Sequence, residues 1–185
     1  MHNIFKLFLI AFIVQGCNAN PKDGAKKAKG NPEIITTSAC DTFPKHGGSI
    51  TDLENIYTTQ EKITLDSLMK NVMATDDIVI AIVTLDTTYI NKNNLDNYIT
   101  KLHNCWGVGY AEKNNGILIG ISKSNKLIRI SNGYGIEDII TDAETKIVLD
   151  KHFTSAFKKN KFYDGTYAGI IELRNLIRTK KVAKN

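Results

Sequence analysis

The sequence predicts an α/β fold: a three-layer α/β/α sandwich around a small mixed sheet. Three observations carry this. Ile78–Thr84 is a continuous apolar run rich in β-branched residues, which suits a strand covered on both faces. Ile117–Ile121 and Leu127–Ile130 are two further strand-like runs joined by the short link Lys123-Ser124-Asn125, which implies an antiparallel hairpin. Helical stripes of apolar residues flank these runs on both sides, and helices on both faces of one sheet stack as three layers. The 185 residues leave room for one such domain and some extras.

The elements follow in order. Thr58 with Glu61 three residues later is a capping box. Leu65, Leu68, Met69 and Val72 then recur at the helical spacing, and Asp76-Asp77 break the stripe. After the first strand run, Asn93-Asn94 open a second helix with Leu95, Ile99 and Leu102 on one side, running toward His103 or Cys105. Asn114-Asn115-Gly116 is a turn before the second strand run. Gly133-Tyr134-Gly135 ends the third. Thr141 and Glu144 form another capping box, ahead of a helix with Leu149, Phe153, Ala156 and Phe157 on its apolar face. Asp164-Gly165 open the last helix, with Tyr167, Ile170, Ile171 and Ile177 expected inward.

The N-terminal part reads as an address. Leu7–Val14 is an apolar run, shorter than the roughly 20 residues of a membrane span but suited to a secretory signal. Val14-Gln15-Gly16-Cys17 is similar to a bacterial lipoprotein signal, with Cys17 as the lipid acceptor. Residues 1–16 are therefore expected to be the signal peptide, 17–42 a lipidated cysteine with its tether, 43–178 the domain, and 179–185 a basic tail. The tether is rich in Lys, Ala, Gly, Asn and Pro, too polar to bury a core. The expected location is the bacterial cell envelope, anchored by lipid to the inner or outer membrane and facing the periplasm. The remaining cysteines, Cys40 and Cys105, can pair in such an oxidising compartment or stand as two free thiols; spacing decides neither.

The overall charge of +5 does not point to nucleic acid. Between Ile34 and Ile177 there are 17 acidic residues against 15 basic ones, and the positive excess lies in the segments outside. A basic face interleaved with aromatics is missing from the pattern.

Trp106-Gly107-Val108-Gly109, Asn114-Asn115-Gly116-Ile117-Leu118-Ile119, Arg129-Ile130, Gly133-Tyr134-Gly135-Ile136-Glu137 and Thr141-Asp142-Ala143 together resemble the TPM domain family. The resemblance covers about residues 44–176, with Phe43-Pro44 and Ile50-Thr51-Asp52 similar to the family's opening segment. It implies an α/β/α sandwich, calcium binding in some members and acid phosphatase activity in some plant members. The chain departs from the family near Ser155, where many members carry Pro.

Asp52, Glu137, Asp138 and Asp142 are the acids nearest these motifs. Carboxylate oxygens suit a hard cation, with Ca2+ expected ahead of Mg2+. Asp52, Glu137 and Asp142 are the candidate metal and catalytic set, and Asp138 is a further metal candidate. Each also has a plain structural reading: a helix first turn for Asp142, a loop charge for Glu137, a turn or cap for Asp52. Trp106, Asn114, Asn115 and Tyr134 are candidates for lining a ligand cleft, beside roles in packing and tight turns. His46, His103 and His152 have no zinc spacing. Neither an esterase serine elbow nor a phosphate-binding glycine loop occurs. The expected function is a lipid-anchored module that binds or modulates a membrane-associated partner. The alternative is a metal-dependent acid phosphatase in which a carboxylate-held cation polarises the phosphoryl oxygens.

Overall fold

The computed structural model describes residues 40–184. The signal segment, Cys17 and nearly all of the tether lie outside the described residues.

Strands β1 (Ile50–Asp52), β2 (Val79–Thr84), β3 (Gly116–Ser122) and β4 (Leu127–Asn132) form one sheet in the order β1-β2-β3-β4. β1, β2 and β3 run parallel, and β4 pairs antiparallel to β3, with Ile119 opposite Ile130. The hairpin is as the short Lys123–Asn125 link predicts. β1 is a strand that the sequence pattern did not announce, because three residues carry too little periodicity to read.

Side-chain alternation divides the core. Ile80, Ile82, Ile117, Ile119, Ile121 and Ile130 point to one face. Ala81, Val83 and Leu118 point to the other. Helix α1 (Thr59–Asp76) covers the first face with Leu65, Met69 and Val72. Its capping box is formed as predicted: Thr58 Oγ1 accepts from the Glu61 amide and Glu61 Oε2 accepts from the Thr58 amide. Asp77 ends the helix in the left-handed conformation. Helix α2 (Leu95–Trp106) covers the second face with Leu95, Ile99 and Leu102. A Cβ on Gly120 of β3 would run into Ile99, so this glycine lets α2 lie close to the sheet. The three-layer α/β/α arrangement is therefore present.

After β4 come the short α3 (Tyr134–Glu137) and α4 (Asp142–Val148), with the second capping box between Thr141 and Glu144. The single helix expected next is divided. Leu149–Thr154 is π-helical and leads into α5 (Ser155–Phe157). With Ser rather than Pro at 155, the chain keeps a backbone donor there and the helix runs on. The last helix, α6 (Phe162–Lys184), extends through most of the segment expected to be a basic tail. Ile170, Leu173 and Ile177 are fully buried in it, whereas Tyr167 is exposed, contrary to the inward position expected. Thr166 is the buried neighbour instead, and it meets the Tyr57 hydroxyl at 2.7 Å.

α1 and α6 are joined at one carboxylate. Asp76 takes hydrogen bonds from Arg174 and Arg178, and Lys181 donates to the Asp76 carbonyl. Burial works to raise the Asp76 carboxyl. The bonds from Arg178, Thr75 and Arg174 and the Arg174 charge outweigh it and hold the group at about 2.

Gly169 packs α6 against the π-helical turn, where an added Cβ would collide with the fully buried Phe153 ring. Gly169→Ala is therefore expected to lower stability by about 1–3 kcal/mol, read as a lower urea midpoint at unchanged slope.

Candidate functional site

The motif residues collect where β3 begins and β4 ends. Two backbone segments meet there. Gly133 N–H donates to Gly116 O and Gly135 N–H to Asn114 O, at 2.8 and 3.0 Å. A Cβ on Gly133 would strike the Asn114 carbonyl, one on Gly135 the Lys113 carbonyl, and one on Gly116 the Val108 carbonyl. The contacts are backbone on backbone, so only glycine fits.

Asn115 ties this junction to α1. Its side-chain oxygen accepts from Tyr110 N–H (2.9 Å), and its side-chain amide donates to Asp77 O (2.7 Å). Its own carbonyl accepts from Val79 N–H. Asn115 is buried, so its side chain is committed to holding three segments together. Asn114 has φ of 48° and forms the tight turn that asparagine tolerates. His103 fastens the loop from the other side. Its Nε2 faces Val108 O at 3.2 Å and its Nδ1 faces Ser131 Oγ at 3.0 Å. A carbonyl only accepts, so Nε2 carries the proton and the Ser131 hydroxyl donates to Nδ1. Burial lowers the His103 pKa, against the opposing pull of the Val108 hydrogen bond.

Braced in this way, the junction exposes Tyr110 and Tyr134, each 49% exposed, and beside Tyr110 the partly exposed Met73 of α1. Lys113 lies over the Tyr110 ring at 5.5 Å and pairs with Asp77 at 2.7 Å.

The candidate acids are not brought together. Asp52 ends β1, and its side chain is only 2% exposed. It accepts from Ile56 N–H, Tyr57 N–H and the Thr84 hydroxyl, with Lys62 at 3.7 Å. It shapes the turn into α1. Glu137, Asp138 and Asp142 follow the end of β4, on the opposite edge of the sheet. Three strand spacings alone separate the two edges by about 14 Å. Because β4 is antiparallel, its end also lies at the opposite end of the strands from Asp52. Among the described residues, no group of three or more His, Cys, Asp or Glu side chains is placed to hold a metal ion.

Trp106 lies under the chain's own N-terminal segment. Its indole N–H donates to Pro44 O at 2.8 Å and its ring meets His46 at 4.7 Å. Cys40 and Cys105 form a disulfide, the alternative that spacing left open. Tyr110, Lys113 and Asp77 were missed in the sequence. Only the paired acids Asp76-Asp77 at the helix end hinted at them, since the site arises where loops distant in sequence meet.

The TPM domain model matches residues 50–176. The chain belongs to the TPM domain family. Solved structures with the same fold include the N-terminal domain of a protein from P. gingivalis. That domain is 21% identical with a TM-score of 0.63, and the match covers 70% of this chain and 82% of that one. A protein from the psychrophilic bacterium Bizionia argentinensis is 20% identical with a TM-score of 0.55, covering 69% and 86%. The N-terminal domain of a Corynebacterium glutamicum protein is 14% identical with a TM-score of 0.54, covering 72% and 83%. At these identities the likeness speaks for the fold alone. A search of the curated proteins finds no match.

Within this TPM domain, Asn115→Ala leaves the Tyr110 amide and the Asp77 carbonyl without their partner. It is expected to cost about 2–4 kcal/mol in chemical denaturation. His103 has a lowered pKa in the fold, so the unfolded chain binds the proton more readily. Its contribution is complete above the ordinary value of 6.5 and is lost as pH falls through the lower folded value. His103→Asn should flatten the stability profile over that acid window, measured by urea midpoints from pH 7.5 downward.

Proposed function

We propose that this TPM domain protein is a lipid-anchored module of the bacterial cell envelope. In this reading it is held at the membrane through Cys17, faces the periplasm, and binds a membrane-associated partner protein. The observation that carries the proposal is the pair Tyr110 and Tyr134, half-exposed on segments locked by backbone contact and by Asn115. Tyrosines on a rigid base lose little side-chain entropy on docking and supply large contact area, which is why they are frequent binding anchors. Met73 adds adaptable apolar surface, and the Lys113–Asp77 pair gives a polar rim. No helix among the described residues is long and apolar enough to cross a membrane, so the anchor in this reading is the lipid on Cys17.

A second reading, a metal-assisted acid phosphatase, rests on Asn132. Its Oδ1 is buried without a hydrogen-bond partner among the described residues. Its Nδ2 donates to Thr145, in the helix that Asp142 opens. In that reading Asn132, Asp142 and Glu137 would offer oxygens to Ca2+, or less favourably Mg2+, and the chemistry such a cation would supply is stabilisation of charge on a phosphoryl group. Asp52 does not fit the same site.

The test uses the full-length protein crosslinked in native membranes and then solubilised. Tyr110→Ser/Tyr134→Ser should reduce recovery of the crosslinked partner about tenfold or more while the thermal midpoint stays near that of the wild type. Equal recovery from the double variant would remove the docking surface. Calorimetric titration with calcium separates the second reading: heat that disappears in Asp142→Asn would favour the metal site.

A further inference from the structure

Residues 40–48 lie outside the span of the TPM domain match and form no ladder with the sheet. They are held against the flank of α2 and the start of the sheet by several contacts, among them Gly47 N–H donating to Thr51 Oγ1 of β1 at 3.0 Å. Phe43 meets the Tyr98 ring edge-on at 4.9 Å, Pro44 O accepts from the Trp106 indole, and His46 lies against the Trp106 ring. The covalent contact is Cys40–Cys105, which fixes the segment's start to the last turn of α2, one residue before Trp106. Both cysteines are partly exposed, so a small thiol can reach them. Of the segment's side chains, only Phe43 joins the apolar cluster on that face of the sheet.

From this we propose that residues 40–48 form a redox-operated strap, with Cys40–Cys105 as its latch and Trp106 as the surface that it covers. Without the cross-link, the strap's noncovalent contacts, the two ring contacts and the bonds at Pro44 and Gly47 among them, are set against the conformational entropy of ordering the whole segment, and the entropy prevails. Both core clusters keep their helices and strands, so opening is local. The chemistry is thiol–disulfide exchange with a dithiol reductant. One thiolate of the reductant attacks a sulfur of the cystine, forms a mixed disulfide and releases the other cysteine as thiolate. The reductant's second thiolate then attacks the mixed disulfide, frees the remaining cysteine and leaves as an oxidised cyclic disulfide. The latch itself does not depend on what Tyr110 binds.

The chain contains a single tryptophan, so its emission reports on Trp106 alone. The experiment compares the oxidised full-length protein, the same protein reduced with dithiothreitol, and Cys40→Ser. Each is examined by acrylamide quenching of tryptophan and by hydrogen exchange at the Ile82 and Ile119 amides. Reduction and Cys40→Ser should both red-shift the emission and raise quenching about twofold, with exchange at the two strand amides unchanged. Re-oxidation should restore the wild-type signal only where both cysteines are present. Unchanged quenching after reduction would mean that the strap stays closed without its cross-link. Loss of protection at Ile82 and Ile119 would mean that the disulfide holds the whole domain. Either result overturns the proposal.

Discussion

Strand β3 is buried along all seven residues and pairs on both edges, with β2 on one side and β4 on the other. A strand in that position has no solvent face, so the chain must supply a helical layer on each side. α2 supplies one; α1, the π-helical turn and α6 supply the other. Gly120 is the narrow point of this arrangement, since Ile99 occupies the space its side chain would take. The same strand also places the family motifs. The segment leading into β3 and the segment leaving β4 emerge side by side because the two strands are antiparallel neighbours. Glycines let those segments touch through their backbones, and Asn115 then pins the junction to the end of α1.

The buried carboxylates serve the architecture. Asp52 accepts three hydrogen bonds at the turn between β1 and α1, and Asp76 gathers two arginines where α1 meets α6. Acids that looked alike as ligand candidates differ sharply in surroundings. Asp52 is enclosed and fully engaged, while Glu137, Asp138 and Asp142 lie beyond the far end of β4. The function proposed here accordingly relies on exposed tyrosines on a rigid base, with the cation reading confined to the neighbourhood of Asn132. The strap over Trp106 adds a second level of organisation, since one covalent bond fastens a segment that precedes the matched span to the end of α2, beside Trp106.

Much of the fold was legible because its signals are local. Thr58 and Glu61, or Thr141 and Glu144, lie within one helical turn, so their capping boxes can be read from spacing alone. The apolar runs at Ile78–Thr84 and Ile117–Ile121 declare buried strands for the same reason. The exceptions are also local in origin. β1 is too short to show a period, and the π-helical turn at Leu149–Thr154 keeps a helical side-chain pattern while changing its hydrogen bonding. Tyr167 was placed inward by its spacing, yet Thr166 faces the core through its bond to Tyr57.

The sequence by itself determined the fold class, the family, the starts of α1, α2 and α4 and the antiparallel hairpin, because each depends on residues close together in the chain, whereas the last helix begins at Phe162, ahead of the expected Asp164. Tertiary structure alone decided the pairing of Cys40 with Cys105, the separation of Asp52 from Glu137 and Asp142, the partial cover of Trp106 by Pro44 and His46, and the meeting of Tyr110 with Met73 and Lys113 with Asp77. These depend on strand order and direction, which bring residues from distant segments together or hold them apart. No local pattern of spacing or polarity encodes that distance.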